Sequence, residues 1–325
     1  MTMPPTFSRF LALVVLSAML PSCGESQAQM GMLPTSRPLR MSLGAPGSDL
    51  LYAANVTTLF VFAYPKTKYI GEMTLPAEGG GGQVCSDGGG DIFVPVQISS
   101  SQGEILEYAH GGTSPIATLN SPTGFQPYAC AVDRKSGNLA VTDFPGTGFG
   151  SVEVYQSATG TPTVYSDRRV EDFIYCTYDD KSNLFVTTFG GKAGNISLAE
   201  LPSGGSKFTN ITITGGGGGF SQFGIQWDGK YITLARFHSD GIYRMKIAGE
   251  KAMITGITHL KGARDAADGF QYWIQGRVAI RPTGNHLEQL GLWNYPAGGA
   301  PIRIIGHHFG RAGVFGATVS LGSGS

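Results

Sequence analysis

Short apolar stretches alternate with polar or glycine-rich turns along most of the chain, and the alternation repeats. PYACAVDRKSGNLAVTDF (127–144) aligns with FIYCTYDDKSNLFVTTF (173–189), so that Cys130 falls on Cys176, Asp133 on Asp179, Lys135 on Lys181 and Ser136 on Ser182. VCSDGGGDIFVPV (84–96) and FGIQWDGKYITLARF (223–237) carry the same strand, acidic turn and second strand. A second marker, an alternating strand running into a polar turn, recurs at Tyr64, Tyr108, Tyr155, Leu201, Ile247 and Tyr295, with separations of 44, 47, 46, 46 and 48 residues. Apolar runs this short, rich in Val, Ile, Tyr, Phe and Thr and bounded by turn residues, predict strands rather than helices.

Four short strands fit in each period, and an all-β repeat of about 40–50 residues predicts the blade of a β-propeller. The expected fold is therefore all-β: a six-bladed β-propeller with four-stranded blades. The end of the chain, AGVFGATVSL (312–321), has the pattern of a first, inner strand with no outer strands after it. LLYAAN (50–55) has the pattern of a second strand with no inner strand before it. The C-terminal strand is thus expected to complete the N-terminal blade and close the ring.

The D-x-x-x-G-N-L-x-V-T-D pattern of Asp133 to Asp143 resembles NHL-type and SMP-30/gluconolactonase-like (TolB-like) six-bladed propellers. The likeness extends at blade level over 46–321. It implies a fold first; for the lactonases of that group it also implies a divalent metal held by a glutamate, an asparagine and an aspartate. No Pro-Asn-Gly context for that asparagine occurs here, and Glu78 does not sit in a matching motif. Asp133, Asp179 and Asp228 all fall in the turn after an inner strand, where an aspartate caps its own backbone.

The N-terminus departs from the pattern. Arg9, the apolar run FLALVVLSAML (10–20) and a small-residue exit form a secretory signal over 1–22, too short to span a bilayer. Leu20-Pro21-Ser22-Cys23 resembles a bacterial lipobox, which makes Cys23 the lipidated residue, followed by a flexible tether over 23–45 and the propeller over 46–325. The expected location is the bacterial cell envelope, with the membrane reached only through the lipid anchor. A periplasmic or secreted soluble protein is the alternative.

Composition supports this picture and narrows the function. Glycine makes up 49 of 325 residues, and 18 prolines add to the turn content. Formal net charge is zero, with 23 basic and 23 acidic residues, which gives no electrostatic basis for nucleic-acid binding. Cys85, Cys130 and Cys176 are an odd set placed in inner strands, where packing outweighs reactivity as their expected role. There is no H-E-x-x-H, C-x-x-C or G-x-S-x-G, and GGGGG (215–219) lacks the Lys-Ser/Thr of a phosphate loop.

Ligands are expected at the mouth formed by outer-to-inner connections and by the loops joining second to third strands. The candidates there are Arg168, Glu171, Asp172, His238, Asp240, Arg264, Asp265, Asp268 and His308, with aromatic walls from Phe144, Phe189 and Phe237. Function is accordingly placed around Phe125 and Phe144, at the ends of the 127–144 hairpin, and not in its turn. The leading expectation is a monomeric binding or scaffold module for a protein, peptide or glycan, without catalytic residues. The alternative is a metal-dependent lactonase or hydrolase. No cofactor is evident, although that alternative requires a divalent Ca or Zn.

Overall fold

A computed structural model describes residues 47–78, 83–123, 126–144, 149–169, 172–189, 198–215, 223–236, 239–263, 271–284, 287–310 and 313–322, with the side chains of Phe189, Phe223 and Arg236 excepted. The signal, lipobox and tether lie outside these residues.

The protein is all-β, built from small antiparallel sheets in a propeller-like arrangement. β1 (Leu50–Ala54), β2 (Thr58–Ala63) and β3 (Lys68–Thr74) are followed by β4 (Cys85–Ser86), β5 (Ile92–Ser99), β6 (Gln102–Tyr108) and β7 (Ala117–Ser121). Next come β8 (Gln126–Val132), β9 (Leu139–Phe144), β10 (Ser151–Tyr155) and β11 (Thr163–Tyr165), then β12 (Asp172–Tyr178), β13 (Leu184–Phe189), β14 (Leu198–Leu201) and β15 (Thr209–Thr214). The last strands are β16 (Phe223–Trp227), β17 (Ile232–Arg236), β18 (Gly241–Ala248), β19 (Lys251–His259), β20 (Trp273–Gln275), β21 (Val278–Thr283), β22 (Gln289–Asn294), β23 (Arg303–Ile305) and β24 (Gly316–Ser320). A single short 3₁₀ turn, Gln156–Ala158, is the helical exception among the described residues.

Hydrogen bonding gathers these strands into five sheets rather than six separate ones. Four are four-stranded: β24-β1-β2-β3, β4 to β7, β8 to β11, and β20 to β23. The fifth has eight strands in the order β12-β13-β14-β15-β19-β18-β17-β16. Its cause is local. The outer strand β19 is nine residues long, and its start runs parallel to the end of β15, pairing Thr212 with Lys251 and Thr214 with Met253. Two repeats that the sequence separates thereby share one hydrogen-bonded sheet.

β24 pairs antiparallel with β1, Leu50 opposite Ser320 and Ala54 opposite Gly316, so the first sheet takes strands from both ends of the chain. The inner strands lie side by side in a fixed succession. β4 contacts β24 and β8, β12 contacts β8 and β16, and β20 contacts β16 and β24.

This packing explains the hydrophobic pattern. Middle strands are covered on both faces by neighbouring sheets, so β1 is buried at every position and β5 from Ile92 to Val96. Burial on two faces produces continuous apolar runs instead of alternation. Outer strands show the reverse: β19 alternates, and β23 exposes Arg303 and Ile304. Within the core, Phe60 and Phe62 of β2 meet Phe309, while Trp293 is wholly buried. Gly291, two residues before Trp293 on β22, has no side chain because a Cβ there would collide with the Trp293 ring.

Cys85 and Cys130 form a disulfide, Cα to Cα 5.8 Å, that ties β4 to β8 across two sheets. The odd set of three left their pairing open in the sequence, and the structure joins this pair. Cys176 alone stays a thiol, fully buried, and burial pushes its pKa far above the usual thiol range.

Candidate functional site

A cavity of about 590 Å³ lies where the inner strands end and turn back. β8 supplies Cys130 to Val132 and the turn Asp133-Arg134-Lys135; β12 supplies Thr177 and Tyr178 and the turn Asp179-Asp180. β16 and β20 add Gln226, Trp227, Asp228, Trp273, Ile274 and Gln275, and Ser86 of β4 joins them. That volume matches pockets that hold a small ligand or part of a larger one.

The turn aspartates are structural. Asp133 Oδ1 accepts from the Lys135 amide at 3.1 Å, and its Oδ2 from Ser136 Oγ at 2.5 Å. Asp179 accepts from the amides of Lys181 and Asn183, each at 2.9 Å, and from Asn183 Nδ2 at 3.0 Å. Asp228 accepts from the amides of Lys230 and Tyr231, and its Oδ2 from the Tyr295 hydroxyl of the next sheet at 2.5 Å. Each carboxylate replaces hydrogen bonds that the reversing backbone would otherwise lack.

What remains facing the cavity is the set of positions that change from one turn to the next. Arg134, Asp180 and Gly229 follow the three aspartates, and Gly276 follows Gln275. Arg134, Lys135 and Asp180 are exposed at the rim. The walls hold Trp227 and Trp273, two of the chain's three tryptophans, with the amides of Gln226 and Gln275. Trp273 Nε1 donates to Gln275 Oε1 at 3.4 Å, which sets that indole against its own strand end.

This location differs from the expected mouth, because the inner-strand turns, treated in sequence as structure alone, line the cavity. Of the expected candidates, Arg168 is exposed and Asp172 opens β12 half-buried. Asp240 faces His259, Nδ1 to Oδ1 3.2 Å. His308 stacks flat on Tyr69, ring centroids 4.3 Å apart, against the first sheet. No hydrogen bond or ion pair joins Arg168, Asp240 and His308, and none of the four lines the cavity. Glu171, His238, Arg264, Asp265, Asp268 and Cys23 lie outside the described residues, as do Phe125 and Phe237. Phe144 does reach an aromatic cluster, with Tyr128 at 6.0 Å and Tyr128 in turn 5.7 Å from Tyr175. Among the described residues no group of three His, Cys, Asp or Glu could hold a metal.

Two buried charged sites escaped the sequence reasoning. Arg281, an isolated basic residue in the apolar run of β21, is 2% exposed and donates through one guanidinium nitrogen to the Ser239 carbonyl at 2.9 Å. Burial lowers its pKa to about 10, which still leaves it charged at neutral pH. The second is the carboxylate pair Asp143 and Glu153, both buried between the β4–β7 and β8–β11 sheets. An ionisable residue within a strand was the available signal for both.

No family model matches the sequence, and no curated protein matches it either. Solved structures are similar in fold. A protein of unknown function from Bacteroides caccae superposes with a TM-score of 0.60 at 10% identity, covering 85% of this chain and 99% of its own. Hydrazine synthase of Kuenenia stuttgartiensis gives 0.55 at 10% identity, covering 76% of this chain and 81% of that one. A Lactobacillus plantarum protein gives 0.51 at 15% identity, with 80% and 82% coverage. Such likeness defines the class, an all-β assembly of propeller-like sheets, and carries no activity across.

Proposed function

We propose that this chain is an exported, lipid-anchored β-propeller of the NHL and gluconolactonase-like kind, with six blades, that serves as a glycan-binding module. The blade count rests on dividing the eight-stranded sheet at its parallel β15–β19 seam, which gives two halves ordered inner to outer like the other four sheets. Closure through the C-terminal strand is supported by the β24–β1 pairing and by the inner strands' contacts, which return from β20 to β24. Export is supported by the Cys85–Cys130 disulfide, a bond that persists in oxidising compartments. Anchoring at Cys23 is tested by membrane fractionation: Cys23→Ser should move the protein from the membrane to the soluble fraction.

The observation that carries the binding role is the cavity with two indole side chains, two amides and a mixed-charge rim built from four successive inner-strand turns. Indole faces pack against the C–H faces of sugar rings, while amides and carboxylates take up hydroxyls. With the turn aspartates committed to their own backbone, the chemistry left favours a neutral polyhydroxylated ligand over a metal-bound substrate. Intrinsic tryptophan fluorescence titrated with cellohexaose, chitohexaose and maltohexaose should show saturable change with at least one, lost in Trp227→Ala. Saturation by a tryptic peptide mixture with none by any hexaose would replace the glycan by a peptide. Turnover of a lactone dependent on added calcium or zinc would overturn the binding-module reading.

A further inference from the structure

Between the β4–β7 and β8–β11 sheets lies a buried cluster of oxygen atoms whose protons can be counted. Glu153 of β10 is fully buried, and Asp143 at the end of β9 is 1% exposed. Ser121 of β7 and Thr123, just beyond it, reach across from the neighbouring sheet. Ser121 Oγ donates to Glu153 Oε1 at 2.7 Å, and the Tyr155 hydroxyl donates to Glu153 Oε2 at 2.7 Å. Thr123 Oγ1 stands 2.8 Å from Asp143 Oδ2 and 2.9 Å from Glu153 Oε1.

Thr123 has one hydroxyl proton for two carboxylate contacts. If both acids were ionised, one of these oxygen pairs would face each other at bonding distance with no hydrogen between them. Giving the threonine proton to Asp143 leaves the Glu153 contact bare; giving it to Glu153 leaves Asp143 bare. Ser121 cannot fill the gap, because its proton serves the 2.7 Å contact to Glu153. One further proton satisfies every carboxylate contact: Asp143 Oδ2–H donates to Thr123 Oγ1, and Thr123 Oγ1–H donates to Glu153 Oε1, which leaves the neutral hydroxyls of Ser121 and Thr123, 3.1 Å apart, as the one pair with no hydrogen between them.

We propose that Asp143 and Glu153 share one proton through Thr123, and that this proton latches the two sheets together until it is lost to water on alkalinisation. No Lys, Arg or His pairs with either acid among the described residues. Among the described residues the ionisable groups facing Asp143 are Glu153 and, through it, Tyr155, both on β10. Ser151, opposite Asp143 on that strand, faces it without closing a normal hydrogen bond to Oδ1. From the following sheet, Asp172 approaches Gly150 through its backbone. With no cation beside them among the described residues, ionising both acids places an uncompensated charge in a low-dielectric site.

Burial, with the Glu153 charge adding to it, pushes Asp143 up to about 7. A carboxyl whose folded pKa is raised binds its proton more tightly folded than unfolded. Stability is then highest in acid, falls as pH rises from about 4 toward 7 while only the unfolded chain ionises, and levels off above. The Cys85–Cys130 disulfide bridges the same two sheets from the inner side, so opening is confined to the β7–β9–β10 edge.

The test is thermal melting of the oxidised full chain as a function of pH, wild type against Asp143→Asn. The asparagine offers Nδ2–H to Thr123 without titrating. Its Tm should exceed the wild type's by roughly 3 °C or more at about pH 8.5 and fall to equality or below at about pH 5. Parallel curves would overturn the latch. Should Asp143→Asn fail to fold, carboxyl carbon-13 NMR of the wild type decides: one aspartate titrating near neutrality supports it, and all aspartates titrating below about pH 5 sink it. A calcium-dependent Tm lost in the variant would place a cation where the proton is assigned, and would also overturn it.

Discussion

Asp133, Asp179 and Asp228 recur at the same place in three turns, and each is consumed by the turn itself. A residue that recurs from repeat to repeat answers a need those repeats share, here the capping of amides at a reversal. Asp228 differs in one respect, since the Tyr295 hydroxyl adds an inter-sheet bond to its two backbone bonds. Asp228→Ala removes all three acceptor contacts and should cost about 2–3 kcal/mol in urea unfolding. Asp180→Ala, at an exposed position without a hydrogen-bond partner among the described residues, should stay within about 0.5 kcal/mol of wild type. Comparable losses from both would remove the distinction between turn and cavity residues. The repeat made the structural aspartates legible in the sequence. The cavity-lining positions were not, because Arg134, Asp180 and Gly229 differ between repeats and resemble ordinary turn variation until the turns converge in space.

The ends of third strands followed from the repeat spacing, since Tyr108, Tyr155 and Leu201 close β6, β10 and β14 as the period requires. Two long-range features did not. The β15–β19 seam depends on how far an outer strand extends, which no local pattern fixes. The pairing of Cys85 with Cys130 depends on which inner strands become neighbours, and three cysteines at near-equal spacing leave that open. Their separation of 45 residues, in a chain-entropy account, makes the bond worth about 4 kcal/mol. Cys130→Ser should therefore lower the unfolding midpoint strongly, while Cys176→Ala, which deletes a buried thiol that pairs with no other cysteine, should cost far less. Equal losses in the two variants would mean that the disulfide contributes only as packing.

At the scale of the molecule, sheets that bury both faces of their middle strands depend on their neighbours, so an unpaired inner position exposes core on two sides. β24 fills that position for the first sheet, with all five of its residues buried and Val319 packed in the same cluster as Leu51, Phe62 and Phe93. Its Ser320 hydroxyl reaches His110 Nδ1 at 2.6 Å, and Ser86 Oγ donates to the Val319 carbonyl at 2.9 Å, so β24 also binds the second sheet. Deleting the chain after Gly310 removes this strand and leaves the backbone groups of β1 that face it, in the pairs from Leu50 to Ala54, without partners. Buried backbone groups without partners are costly, and several lost together exceed the roughly 5–15 kcal/mol that stabilises a typical domain. The truncated chain should therefore lose its cooperative thermal transition and exchange amide protons along β1 at unprotected rates. Retention of a wild-type Tm would show that β1 needs no partner from the C-terminus, and would remove the basis for ring closure through β24.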